Sequence, residues 1–281
     1  MSGNFNTKSK KSNEDNSKFK KKFFAFWRTV FRTGSLPGYM IIGTQKGGTT
    51  SLQRYLENHP QIVPSYKKEA HYFDNKYHKS ISWYKRHFPL SNKFNGKICG
   101  DSSPYYLFHP FVPQRIAKHL PDIKLIVLLR DPVERAYSHY KMQHNKGLEK
   151  LNFEDAIKAE ESRLEGAFEK LKNGEYSFEH QKFSYLSRGK YSEQLKRWFE
   201  YFDQDQILVL KSEDLFSNTQ QVLSEVFNFI GVEDQKLKDL KVHNKGKKKS
   251  KLDENIKKEL RDYYKPYNDE LNDLLEGKIT W

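Results

Sequence analysis

Lys46 lies in Gly43-Thr44-Gln45-Lys46-Gly47-Gly48-Thr49-Thr50-Ser51, a glycine-rich turn between the apolar run Tyr39 to Ile42 and an apparent helix start. Glycines without a Cβ let the backbone close around an oxyanion, and the unpaired N–H groups and positive dipole end of a first helical turn favour negative charge. Lys46 adds a full cation, so Lys46, Gly47, Gly48, Thr49, Thr50 and Ser51 are candidate phosphate ligands. The nucleoside triphosphatase loop, G-x-x-x-x-G-K-[ST], puts its lysine after the last glycine. Here Thr49 follows Gly48 and the lysine comes two residues before that glycine, so the cradle is similar and the catalytic geometry differs.

A second group is Lys67-Lys68-Glu69-Ala70-His71-Tyr72-Phe73-Asp74. In extended backbone a carboxylate and an imidazole two residues apart share one face. A hydroxyl or amine must lose its proton as it attacks an electrophile, and a carboxylate whose pKa burial has raised is an adequate base. Glu69 is the candidate base and His71 its partner, although taken alone the segment reads more readily as a surface strand of mixed charge.

The third group follows the apolar run Lys124 to Leu129, where Arg130 is succeeded by Asp131-Pro132, with Ser138 two turns further on. A guanidinium grips phosphate bidentately and a hydroxyl donates one more bond. A local Arg–Asp ion pair and a capping serine are the alternative. Asp131 and Arg135 are placed to brace the turn.

Taken in order, the cradle, Lys68-Glu69-Ala70-His71-Tyr72-Phe73-Asp74, Asp101-Ser-Ser-Pro104-Tyr105, Leu128-Leu-Arg130-Asp131-Pro132-Val-Glu-Arg135-Ala-Tyr-Ser138 and a late Lys245-Gly246-Lys247 resemble the sulfotransferases that use 3'-phosphoadenosine 5'-phosphosulfate (PAPS), particularly the heparan sulfate N- and O-sulfotransferases. The resemblance implies PAPS as donor, adenosine 3',5'-bisphosphate (PAP) as product, and a carbohydrate or small-molecule alcohol as acceptor. It makes Glu69 the catalytic glutamate and Lys46 the lysine on the transferred sulfonyl group and leaving phosphate. His71 and Asp74 then orient the glutamate and bind acceptor, Arg130 and Ser138 take the 3'-phosphate, and Lys245-Gly246-Lys247 closes over it. Where the family carries Lys-Gly-Arg this chain has Lys247, which keeps the charge and loses the fork. Thr50 replaces an arginine, and Ser102 a lysine, of some heparan sulfate 3-O-sulfotransferases. Tyr105, with Tyr72, Phe73, Trp83 and Tyr106, could line an acceptor cleft and stack on sugar faces.

These groups need a frame to hold them. Met40 to Ile42, Lys97 to Gly100, Lys124 to Leu129 and Ile207 to Leu210 read as short buried strands. Helical spacing of apolar residues falls at Thr49 to Leu56, Pro110 to His119, Pro132 to His144, Phe153 to Lys172, Tyr191 to Phe202, Thr219 to Ile230 and Asp253 to Leu275, with Pro110 and Pro132 as first-turn prolines and a break expected at Pro266. Strands alternating with helices predict a single α/β domain, residues 35–281, doubly wound around a short parallel sheet with ligands at the strand carboxyl ends.

The 281 residues carry a net charge of +14, twelve units of which come from residues 1–22 and 236–258. Residues 1–34 read as a basic tail that cannot bury enough surface to order itself. Within it, Phe19 to Arg32 mixes aromatics with cations, either as an amphipathic helix lying on an anionic membrane or as a helix docked on the domain. Basic charge steers polyanionic ligands, nucleic acid included. A nucleic-acid module and a P-loop kinase are therefore the rivals, the kinase disfavoured by the misplaced lysine and the lack of a magnesium carboxylate of Walker type. The expectation is no nucleic-acid partner. With Cys99 as its one cysteine the chain forms no intramolecular disulfide, unlike animal Golgi relatives, and with no secretory signal a cytoplasmic location is expected. The scattered histidines lack metal-site spacing, and cation and amide stabilisation of the oxyanion requires no metal.

Overall fold

The computed structural model describes residues 34–90, 96–237 and 252–281. The basic tail, Phe19 to Arg32 and Lys245-Gly246-Lys247 lie outside the described residues. Five strands, β1 (Tyr39–Gly43), β2 (Ile62–Val63), β3 (Ile98–Ser102), β4 (Lys124–Leu129) and β5 (Ile207–Lys211), pair in the order β2-β3-β1-β4-β5, all parallel. Alternation makes this sheet two-faced. Met40, Ile42, Leu125, Val127 and Leu129 enter one apolar core, and Tyr39, Ile41, Ile126 and Leu128 enter a second. Both faces are covered by helices, which is why the strands read as unbroken apolar runs.

The helices are α1 (Thr49–Glu57), α2 (Ile81–Lys85), α3 (Val112–His119), α4 (Pro132–Asn145), α5 (Phe153–Lys158), α6 (Glu160–Leu164), α7 (Ala167–Lys172), α8 (Phe178–Lys182), α9 (Tyr191–Phe199), α10 (Ser212–Ser217), α11 (Thr219–Ile230) and α12 (Glu254–Leu274). The helix expected over Phe153 to Lys172 is three short ones. Gly166 sits at φ 70° between α6 and α7, and Glu160 turns inward to accept the backbone N–H groups of Leu186 and Ser187. Pro113, not Pro110, is the proline in the first turn of α3. α12 runs unbroken through Pro266; Pro266 and Asp262, whose carbonyl loses its N–H donor, are both exposed. β2, α2, α8 and α10 are too short for sequence periodicity to reveal.

After β1 the chain builds β2 and β3 on one side, then crosses to place β4 on the other. That reversal opens a crevice beyond the carboxyl ends of β1 and β4, the position at which open α/β sheets bind ligands. Lys46 follows β1 and Arg130 follows β4.

Candidate active site

The cradle is a tight turn held by the neighbouring strand. Thr44 N–H donates to the Leu128 carbonyl at 2.8 Å and Gly47 N–H to the Thr44 carbonyl at 2.9 Å. A Cβ on Gly47 would lie 2.6 Å from the Leu128 carbonyl oxygen, so no other residue fits there. Gly48 caps α1 at φ 95° with no side-chain acceptor, and no acidic residue stands in the first turn. The cap and first turn of α1 thus set no anion of their own against its dipole.

Lys46 is held in the left-handed region at φ 73°, and its carbonyl accepts from Arg130 Nη1 at 3.3 Å. Burial lowers the Lys46 pKa, and the nearby charges of Arg130, Lys146 and Lys141 lower it further. Cations are crowded here. Arg130 also reaches Glu134 at 3.5 Å, while its carbonyl accepts from the buried Tyr191 hydroxyl at 2.8 Å. Asp131 braces the turn as expected, its Oδ1 accepting from the N–H groups of Val133 and Glu134 at 2.8 and 3.1 Å. Arg135 is fully buried and donates to the Tyr185 carbonyl. Ser138, on α4, is partly exposed.

Glu69 and His71 do not sit on a strand. Both adopt left-handed backbone, φ 55° and 53°, and the turn they make is pinned from behind. Tyr106 Oη accepts from the N–H groups of Tyr72 and Phe73 at 3.0 and 3.4 Å. Arg115 Nη1 donates to the carbonyls of Phe73 and Asp74 at 2.7 and 3.2 Å. The shared face predicted from extended backbone is therefore reached by a different geometry. His71 Nδ1 lies 2.6 Å from Asp74 Oδ2 and its Nε2 3.5 Å from Glu69 Oε2.

Electrostatics reverses one sequence expectation. Burial acts to raise the Glu69 pKa, but hydrogen bonding with His71 and the Lys68 charge outweigh it and hold the carboxyl below its ordinary value. For His71 burial favours the neutral ring, yet the hydrogen bonds to Asp74 and Glu69 prevail and push it up to about 9. At neutral pH Glu69 is a carboxylate beside an imidazolium. His71 is then a poor candidate for a base and a good one for an orienting cation.

Two residues expected to meet acceptor are closed off. The Asp74 side chain is 0% exposed and serves His71. Tyr105 is buried, its hydroxyl 2.7 Å from His180 Nδ1. Thr50 Oγ1 accepts from Lys68 Nζ, which brings the Glu69 turn against the first turn of the cradle helix. Sequence reasoning passed over Lys68 as a site residue, along with Lys141, Lys146, Lys182 and Arg188. Lys68 could have been found, being adjacent to Glu69. Lys141 and Lys146 lie beyond Ser138 on α4 and at its end, whereas Lys182 and Arg188 come from remote elements that no local spacing marks. Arg188 is buried and donates through Nη1 to Gln45 Oε1 at 2.7 Å, and Lys182 lies within the fields of Glu69 and Asp74.

A parallel α/β sheet thus carries the glycine-rich turn at its switch point, with the Glu69 turn hydrogen-bonded through Lys68 to the helix that follows it. The chain belongs to the sulfotransferase domain family, whose model matches residues 36–271. It is 29% identical over 314 residues to a membrane-associated sulfotransferase of Dictyostelium discoideum, covering 88% of this chain and 66% of that one. It is 31% identical to the mouse bifunctional heparan sulfate N-deacetylase/N-sulfotransferase 4, covering 89% of this chain and 31% of the relative, so it spans about a third of that enzyme's length. A sulfotransferase from Alicyclobacillus acidocaldarius superposes with a TM-score of 0.69 at 26% identity, covering 87% of this chain and 98% of that one. Membership of this family weighs against the kinase reading. No described helix is long and apolar enough to cross a membrane, and the expected cytoplasmic location gains no support from these relatives.

Proposed function

We propose that this protein transfers the sulfonyl group of PAPS to a hydroxyl or amine of a carbohydrate acceptor and releases PAP. Lys46, Gly47, Gly48 and the first turn of α1 bind the 5'-phosphosulfate, Arg130 and Ser138 take the 3'-phosphate with Lys245-Gly246-Lys247 closing over it, and Glu69 removes the acceptor proton. The S–O bond to the leaving phosphate breaks as the acceptor oxygen or nitrogen bonds to sulfur. Lys46 meets the charge that develops on the leaving oxygen. One observation supports this division most: Lys68 Nζ bonds Thr50 Oγ1, setting the base beside the cradle rather than elsewhere on the sheet. His71 keeps Glu69 ionised and oriented, and Asp74 holds His71, so neither needs to touch the acceptor. The names of the heparan sulfate relatives favour a glycan acceptor. A cytoplasmic site of action, and membrane contact through Phe19 to Arg32, are expectations of the sequence alone.

Calorimetry of PAP against ATP tests the donor, with tight binding of PAP alone expected. Incubation with radiolabelled PAPS and separate pools of desulfated glycosaminoglycan, phenols and lipid alcohols tests the acceptor, with label expected in the glycan pool. Preferential ATP binding overturns the donor assignment, and label in phenols or lipids alone overturns the acceptor class.

A further inference from the structure

Arg188 is 1% exposed, and among the described residues it has no carboxylate within ion-pair distance. Its donors are spent on neutral acceptors. Nε donates to Ser184 Oγ at 2.8 Å, Nη2 to the carbonyls of His180 and Gln181 at 3.0 and 2.7 Å, and Nη1 to Gln45 Oε1 at 2.7 Å. The guanidinium lies over the rings of Tyr105 and Phe108, 4.8 and 5.1 Å from their centroids. Gln194 Nε2 holds the Arg188 carbonyl at 3.1 Å from α9. A buried cation without a counter-charge costs several kcal/mol in general. A core filler would be apolar, and a stabilising ion pair would have a partner.

The contacts show what this cation joins. Gln45 immediately precedes Lys46, whose strained backbone is gripped on its other side by Arg130 through the Lys46 carbonyl. The carbonyls of His180 and Gln181 belong to α8, the short helix that ends at Lys182. His180 in turn holds the Tyr105 hydroxyl. One buried side chain therefore ties the cradle turn to α8, whose last residue, Lys182, lies within the field of Glu69.

We propose that Arg188 is a positioning residue for sulfonyl transfer, acting through Gln45 to fix the angle at which Lys46 enters the cradle and through the end of α8 to hold that helix, with Lys182 at its end, at a set distance from the cradle turn. The inference rests on the PAPS reading above. Lys46 must meet a charge that grows only as the S–O bond breaks, so a loosened turn costs rate more than affinity. Gln45 is only partly buried, which makes Gln45→Met a mild way to cut the link while Arg188 keeps its other three acceptors. Arg188→Lys keeps the charge and loses the fork.

The test measures PAP affinity by calorimetry and, in the same preparations, the release of radiolabelled sulfate from PAPS with water as acceptor, expressed per PAP-binding site. Counting sites in this way removes any loss of folded protein. For Gln45→Met the rate is expected to fall by about 10-fold or more, in the range that an ångström of misplacement costs, with PAP affinity changed by less than about 3-fold. Arg188→Lys, which also loosens the bonds to α8, should lose at least as much rate, and the double variant should be no worse than it, since Gln45 acts only through Arg188. A Gln45→Met rate equal to that of the native protein, a loss of affinity as large as the loss of rate, or single-variant losses that multiply would each overturn the inference. If the native protein binds no PAP, the donor reading fails and Arg188 loses this role with it. If it binds PAP and Gln45→Met turns over normally, the inference about Arg188 alone falls.

Discussion

The two halves of the site solve opposite electrostatic problems. On the cradle side burial and then the charges of Arg130, Lys146 and Lys141 lower the Lys46 pKa, and the α1 dipole adds to the same sign. On the acceptor side Lys68, Glu69, His71 and Asp74 alternate in charge and contact one another at 2.6 to 3.7 Å. In the first half Glu134 pairs with Arg130 at 3.5 Å, while Lys46 has no ion-pair partner among the described residues. The second is already compensated, so its charges are held in fixed orientation before any ligand arrives. Under the proposed function a polyanionic donor would relieve repulsion as it binds, whereas an acceptor would meet a pre-formed base.

Lys46→Ala puts the contrast under its heaviest load. Turnover should fall by roughly 1000-fold, the upper range for loss of one oxyanion-stabilising donor, and PAP should also bind more weakly because a cation is lost from ground and transition states alike. Calorimetry and steady-state rates on one preparation measure both. Unchanged PAP affinity would mean that the cradle is not the half that needs an anion. Glu69→Gln should lower turnover by about 100-fold while leaving PAP affinity nearly unchanged, because it removes basicity from the compensated half and keeps its shape. Its acid limb offers a second reading. Since His71 and Lys68 hold Glu69 below its ordinary pKa, activity that depends on Glu69 should persist to more acidic pH than a free glutamate allows, and a limb displaced upward would contradict the geometry.

How much of this was legible follows the same division. Glycine placement, the lysine and the helix start are consecutive in sequence, so Gly47 and Gly48 announce the cradle and β1, β4, α1 and α4 fall close to their expected bounds. The charged motif Lys68 to Asp74 announced its residues but not their conformation, because Glu69 and His71 take left-handed backbone that propensity does not favour. What imposes that turn is remote: the Tyr106 hydroxyl and the Arg115 guanidinium. Burial of Tyr105 was equally illegible, since its partner His180 lies 75 residues on. Direction of the Glu69 shift failed for a related reason: burial was inferred, while the neighbours that outweigh it are set by the turn.

Arg130→Ala tests the cradle's second cation. PAP affinity should weaken by about 2 kcal/mol, the scale of a lost charge-assisted contact, while adenosine 5'-phosphate binding changes little. The bond from Arg130 to the Lys46 carbonyl sharpens this, because its loss loosens the turn under the 5'-phosphate as well. Arg130→Lys separates the two effects, keeping charge without the fork. Equal losses for both nucleotides in titration calorimetry would place Arg130 under the cradle rather than on the 3'-phosphate.

The smallest effect probes compensation in the acceptor half without any ligand. His71 is pushed up to about 9 by Asp74 and Glu69 against the opposing effect of burial, so its folded-state pKa exceeds the ordinary value of about 6.5. A raised histidine binds its proton more tightly in the folded protein. The stability it confers is therefore complete below the unfolded value and is lost as pH rises through the folded one. Its size should be of order 1 kcal/mol, since Glu69 is partly open to solvent and screening trims that side of the pair. Urea unfolding of the native protein and of His71→Gln, compared at about pH 6 and about pH 9.5, isolates the contribution from other groups that titrate over the same range. The native protein should be the more stable at the lower pH, and the gap should narrow at the higher. Asp74→Asn removes the nearer carboxylate, so the ring should titrate at lower pH, which nuclear magnetic resonance of the imidazole protons would follow directly. A gap that is constant or widens with pH would show that His71 is neutral in the folded state, and the acceptor half would then be a base awaiting a cation rather than one already paired.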